Sequence, residues 1–155
     1  MRIDVLSKRK KQEIQDFLEQ TYEIELPKCQ FIQQSKDRIR IFTGNLSEKE
    51  LGILNNAINL ETIGAYFSFS KEKDFRISFD SCFLFKEAKK NVLVLDEEQK
   101  QKWLAGEEIP IENTKEFTYP FVLLKYKQDI IGCGKLAQGR VLNFVPKERR
   151  IKSMK

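Results

Sequence analysis

Around Phe31–Ile41 and again around Phe67–Phe79 apolar residues fall at every second position, and that period confines these two stretches to half-buried strands. Phe31 and Gln33 lead into a polar turn at Ser35–Asp37, after which Ile39 and Ile41 alternate with Arg38 and Arg40. Phe67 and Phe69 lead into a charged turn at Lys71–Asp74, followed by Phe75, Ile77 and Phe79. Two β-hairpins are the expectation. A helix is predicted before them, from Ser7 to about Gln20, with Ile14, Phe17, Leu18 and Tyr22 on its apolar face. Between the hairpins, Gly44 and Asn45 break the chain and "SEKE" at Ser47–Glu50 is a capping box. The helix it opens carries Leu51, Leu54 and Ile58 on its apolar side. Asp80–Lys90 is ambiguous, although Phe79, Cys82, Phe83 and Lys86 fit a short helix.

A new unit is expected from Asn91. "VLVL" reads as a short buried strand, and Asp96 caps a helix with acids in its first turn and Gly106 as its stop. Trp103 and Leu104 face its core. An acidic loop precedes the apolar strand Phe121–Tyr126, Lys127–Asp129 turns the chain, and "IIGCGKLAQG" and "RVLNFVP" supply two more strands. A strand, a helix and several strands within about 60 residues describe a small mixed barrel. The chain is therefore read as α+β: a small N-terminal α/β domain over residues 1–90 and a C-terminal mixed β-barrel over residues 91–155.

The 155 residues contain no histidine. That removes imidazole acid–base work, His-dependent triads and His-ligated metals. Cys29, Cys82 and Cys133 are an odd number, far apart and without a Cys-x-x-Cys pair, which reads as buried free thiols in a reducing compartment. Gly132-Cys133-Gly134 lies between strands and does not open a helix, so it is no dinucleotide loop. Cys133 has no histidine to act as its base, and the adjacent Glu107 and Glu108 point to opposite faces of an extended segment. No catalytic residue, metal or cofactor is expected. No apolar run approaches the roughly 18–20 residues that cross a bilayer, and the N-terminus lacks the apolar core of a secretory signal, so a cytoplasmic protein is expected.

Binding remains. Residues 96–116 hold three basic and seven acidic side chains, whereas residues 117–155 hold nine basic and two acidic ones. In the basic stretch Lys135, Arg140, Lys147, Arg149, Arg150 and Lys152 interleave with apolar strand residues, an arrangement that suits a phosphate backbone. A charged rim that keeps a barrel in solution accounts for the same residues. Lys8, Arg9, Lys10 and Lys11 crowd the first turn of the first helix, where each positive charge opposes the helix dipole by about 0.3–1 kcal/mol. They form either a second phosphate patch or a screened, frayed helix end.

"NVLVLDEEQKQKWLAGEEI" and "PFVLLKYKQDIIGCGKLAQGRVLNFVPKERRI" resemble a PUA domain, the RNA-binding module named after pseudouridine synthase and archaeosine transglycosylase. The shared pattern is a Val/Leu strand, a helix ending at Trp103–Gly106, an apolar strand and a strand reading "hhGxGxh" over Ile130–Leu136. Gly139-Arg140 with Phe144–Arg150 is similar to the PUA-like tail of the Nol/Nop/Sun group of five-methylcytosine RNA methyltransferases. Upstream, "IGAYFSFSKEKDFRISFDSCFLFKEAKKNV" resembles the Nip family of ribosome-biogenesis factors. The resemblance implies a PUA-type barrel that contacts RNA, such as rRNA or pre-rRNA, through a basic face, in ribosome biogenesis or RNA modification. No S-adenosylmethionine loop and no Pro-Cys or Thr-Cys nucleophile is present, which makes the chain a stand-alone, non-catalytic accessory in expectation. Its partners would be RNA together with an RNA methyltransferase or other biogenesis proteins. A protein–protein adaptor in such a complex is the rival reading, and a small RNA-modifying enzyme is a third.

Overall fold

The computed structural model describes residues 3–152. The first half is built as β1 (Asp4–Val5), α1 (Lys8–Tyr22), β2 (Gln30–Ser35), β3 (Arg38–Phe42), α2 (Glu48–Ala57), β4 (Ala65–Lys71) and β5 (Asp74–Ile77). The strands form one antiparallel sheet in the order β1-β2-β3-β4-β5. The tight turns between β2 and β3 and between β4 and β5 leave only antiparallel pairing, because a parallel pair needs a long crossover. The unit is thus an antiparallel sheet joined by helices, as the two expected hairpins require. Both helix starts are as the sequence predicts: Ser7 accepts from the Lys10 N–H, and Ser47 and Glu50 exchange the two bonds of a capping box. On α2 only Leu51 is fully buried; Leu54 is half-buried and Ile58 is 53% exposed.

A bulge between β3 and β4 disturbs the alternation expected of the second hairpin. Ile39 faces Ser68 while the next residue, Arg40, faces Tyr66, so Phe67 is the extra residue. Phe67 joins the core with Phe31, Phe75 and Ile77. Phe69 does not follow it inward; it lies opposite Arg38 on one side and Arg76 on the other. The strand also stops at Ile77, short of Phe79. The Ser78 and Ser81 hydroxyls both donate to the Tyr66 carbonyl, which turns the chain into a 3-10 helix over Phe79–Phe85.

The second half contains β6 (Val92–Val94), α3 (Glu97–Leu104), β7 (Ile109–Pro110), β8 (Phe121–Tyr126), β9 (Asp129–Ala137) and β10 (Arg140–Leu142). The sheet order is β6-β8-β9-β10-β7, with β6 parallel to β8 and the other pairs antiparallel. The sheet is a curled half-barrel, open between its short edge strands β6 and β7, which agrees in part with the mixed barrel expected. In the chain α3 runs from one of these edges to the other. β7 falls in the stretch that the sequence presents as an acidic loop. β9 and β10 are joined through Gln138 and Gly139, both at positive φ, the backbone of a tight two-residue hairpin.

Trp103 of α3 packs flat against the backbone of β9. Its indole N–H donates to the Ile131 carbonyl at 3.0 Å. A Cβ on Gly132 would stand 2.4 Å from the indole nitrogen, and one on Gly134 would stand 2.4 Å from Val141. The "GCG" of the sequence is therefore the footprint of a tryptophan, and Leu95, Ile109, Val122, Leu124, Val141 and Val145 complete that core. The expected strand through "RVLNFVP" ends at Leu142 because Asn143 takes over the bonding. Its amide donates to the Trp103 and Glu107 carbonyls at 2.7 and 2.8 Å, and its oxygen accepts from the Val145 N–H at 2.8 Å.

The two sheets share the larger core. Leu18 and Tyr22 of α1 lie in one apolar cluster with Phe67 and Phe85 and with Phe121, Leu123, Ile130 and Cys133 of the second sheet. Asn91 sits at the join, buried and at φ 53°. Its amide donates to the Thr21 carbonyl at 2.7 Å and to the Thr118 hydroxyl at 3.1 Å. Its oxygen accepts from the N–H groups of Thr118 and Tyr119 at 2.8 and 3.3 Å. The Tyr22 hydroxyl adds a bond to the Phe121 carbonyl at 2.9 Å. No helix among the described residues is long and apolar enough to cross a membrane.

Replacing Asn91 with Ala strands these buried partners and is expected to lower stability by about 2–4 kcal/mol. Asn91→Gly leaves the left-handed backbone unstrained and should lose about 1 kcal/mol less. Urea unfolding of the three proteins checks both values. Gly132→Ala drives a methyl into a fully buried indole and is expected to cost roughly 2–4 kcal/mol, with a red shift of the single tryptophan's emission as the visible sign.

Candidate nucleic-acid interface

The closing segment is tied down more firmly than its charge suggests. Pro146 ends the extended run, and a single 3-10 turn follows over Lys147–Arg149. Arg150 folds back: its Nε donates to the Val145 carbonyl at 3.0 Å, and its guanidinium fills the space where a Cβ on Gly106 would be 2.5 Å away. The Ile151 N–H then donates to the Leu104 carbonyl at 3.0 Å. Arg150 is thereby spent on local structure.

The other expected cations divide by their partners. Lys135 on β9 meets Asp74 at 3.0 Å and lies 5.4 Å from the centre of the Phe121 ring. Arg140 pairs with Glu108 at 3.1 Å, across the β7–β10 pairing. Arg149 pairs with Asp80 at 3.1 Å, which joins the C-terminal turn to the 3-10 helix of the first half. All three pairs are substantially exposed, so each contributes at most about 1 kcal/mol and exchanges readily for another anion. Lys147 and Lys152 are exposed, and no acid pairs with them among the described residues. At the start of α1, Arg9 pairs with Glu13 at 3.2 Å and Lys11 donates to the Cys29 carbonyl, which leaves Lys8 and Lys10 of that run in solvent. Lys10 lines a separate cleft with Phe17, Phe75 and Tyr119.

A group of residues missing from the sequence reading lies beside the C-terminal turn. The Arg76 guanidinium is centred 4.1 Å from the Phe144 ring centre and 5.3 Å from that of Phe69. Arg38 lies 5.8 Å from the ring centre of Tyr66. A cleft of about 110 Å3 opens here, lined by Tyr66, Arg76, Asp80, Phe144 and Pro146 among others. Arg76 and Asp80 line this opening, Asp80 holds Arg149 at its edge, and Lys147 follows the lining Pro146 in the chain. No local spacing marks this group, because Arg76 meets Phe69 across the β4–β5 pairing and Phe144 from the far end of the chain, and the bulge that sets the face leaves no mark in the sequence.

Thiol nucleophiles are poorly provided. Burial pushes the Cys133 thiol up to about 12, against smaller opposing pulls from a bond with the Ile77 backbone and from Arg76. Burial raises Cys82 strongly and Cys29 as well. Thiols of this kind stay protonated near neutral pH. Among the described residues no three His, Cys, Asp or Glu side chains are grouped as metal ligands.

Residues 90–151 match the family model described as the methyltransferase RsmF PUA domain. The span takes in the second sheet, α3 and the anchored tail, and it stops short of the upstream hairpin on which the likeness to the Nip family rests. No curated protein matches the chain. The half-barrel built on Trp103 and its glycines, with the tail folded back onto α3, is thus similar to the PUA domain of an RNA methyltransferase family.

Proposed function

We propose that this protein binds structured RNA through its C-terminal turn and the cleft beside it, in the setting of rRNA methylation or maturation, and that it catalyses no step itself. The observation that carries the reading is a cleft lined by Arg76 whose single lining acid, Asp80, already holds Arg149, with the exposed Lys147 next in the chain to the lining Pro146. Arg offers a planar fork to a phosphate and Lys a point charge, so such a group suits a polyanion better than a neutral ligand. The match of residues 90–151 to a methyltransferase PUA domain supports RNA as that polyanion. The lack of histidine and the raised Cys133 thiol support leaving the chemistry to a partner enzyme, with an RNA methyltransferase as the natural candidate.

A salt titration tests this. Each neutralised phosphate contributes about −0.7 to −0.9 to the slope of log affinity against log salt. Changing Lys147, Arg149 and Lys152 together to Ala should flatten the slope by roughly two units, weaken all RNA sequences alike and leave the unfolding midpoint nearly unchanged. Arg150→Ala should do the opposite: it keeps most of the slope and lowers stability by about 1 kcal/mol, because it releases the tail from Val145 and Gly106. An unchanged slope in the triple variant would favour the protein–protein adaptor.

A further inference from the structure

We infer that the notch walled by Tyr66, Arg76 and Phe144 takes one unpaired nucleotide of the RNA, its base stacked on the aromatic–guanidinium face and its phosphate directed to Lys147 and Arg149. The inference rests on the RNA-binding reading above and adds to it a preference that phosphate contacts alone cannot supply.

The first argument is the state of Arg76. It stands on the outer face of β5, directly across from Phe69, and Phe144 arrives from the other half of the chain to lie 4.1 Å from its guanidinium carbon. No acid pairs with it, and no hydrogen-bond acceptor is assigned to its fork among the described residues. An arginine whose stem and plane are held by two rings has little rotamer freedom left to lose on binding, and its N–H edge remains unspent. Arg40, by contrast, spends its guanidinium on the Ile63 and Gly64 carbonyls and is closed to ligands.

The second argument is the company it keeps. Tyr66, Phe69 and Phe144 are half-buried, and Arg38 caps the Tyr66 ring. Arg76 and the Tyr66 and Phe144 rings thus line the cleft with the one carboxylate of Asp80, which Arg149 already pairs, and Arg38 lies over the outer Tyr66 ring. An occupant that is flat, aromatic and anionic answers both features, and a nucleotide is one. At about 110 Å3 the cleft is too small for paired bases in a stack, so an extruded or bulged base is the form that enters. Tyr66, Phe69 and Arg76 lie outside residues 90–151, which makes the first sheet a contributor to recognition as well as a support for the PUA-like domain.

The experiment compares two RNA hairpins, one fully paired and one with a single 2-aminopurine bulge. Wild type should bind the bulged hairpin roughly ten-fold more tightly, within the range that one stacked base provides, and the 2-aminopurine fluorescence should change on binding. Tyr66→Leu and Arg76→Lys should each lose most of the preference while keeping affinity for the paired hairpin. Arg76→Lys retains the charge and loses the plane, so its loss reads stacking and not electrostatics. Lys147→Ala should weaken both hairpins by the same factor. Thermal unfolding confirms that each variant is folded, and either of the two notch variants suffices if the other is not. Equal affinity of wild type for the two hairpins, or a preference that survives in the folded notch variants, overturns the inference while RNA binding stands. If wild type binds neither hairpin at low salt, the RNA-binding reading and this inference fall together.

Discussion

Every polar atom of the Asn91 side chain is used across the junction of the two sheets, and the geometry of both depends on it. The amide reaches back to the C-terminal turn of α1, and the carbonyl oxygen holds Thr118 and Tyr119 as they enter β8. The Asn91 backbone carbonyl accepts from Leu123, which begins the β6–β8 pairing. A short polar side chain is one of the few that tolerates the left-handed backbone this requires while still bonding to its neighbours. Around this node Tyr22 packs edge to face on both Phe85 and Tyr119, Phe85 stacks on Phe67, and Tyr119 also receives the Phe75 N–H. The two sheets are separate as hydrogen-bonded objects and continuous as an apolar core.

That continuity bears on the candidate site. The notch exists because Phe144, from the strand-like segment after β10, is brought against Arg76 of β5. Were the two halves free to rotate about residues 86–91, the rings and cations would come from surfaces without a fixed relation. The Lys135–Asp74 and Arg149–Asp80 pairs also cross from one half to the other. As exposed contacts they add little to stability, but they fix which faces meet.

Much of the architecture is legible in the sequence because it rests on local rules. The capping boxes at Ser47 and Asp96, the hairpin turns and the stop at Gly106 are decided by residues within one turn of each other. The elements that escape are decided at a distance. β7 is two residues long and becomes a strand only because β10 lies beside it. The tail reads as an open basic run, yet the Leu104 and Val145 carbonyls and the flat surface at Gly106 draw Ile151 and Arg150 back onto α3. The site is legible to a similar depth. Its charge is visible in composition, but pairing is not: the partners of Lys135 and Arg149 are 61 and 69 positions away in the chain. The Phe67 bulge, which turns Phe69 towards Arg76, follows from how β3 and β4 fit together and not from any residue type in the run.

The Asp80–Arg149 pair has a consequence for discrimination among anions. Arg149 is not an empty socket waiting in water; it already carries a carboxylate at 3.1 Å. An incoming phosphate must evict that carboxylate, and the evicted group then repels the newcomer unless the ligand extends far enough to recruit Lys147 and Arg76 as well. A small free anion makes one such exchange and gains almost nothing. A chain of phosphates makes several contacts for the same eviction and comes out ahead. If the surface binds RNA as proposed, Asp80 acts there as a weak internal competitor that favours a chain of phosphates over a single one.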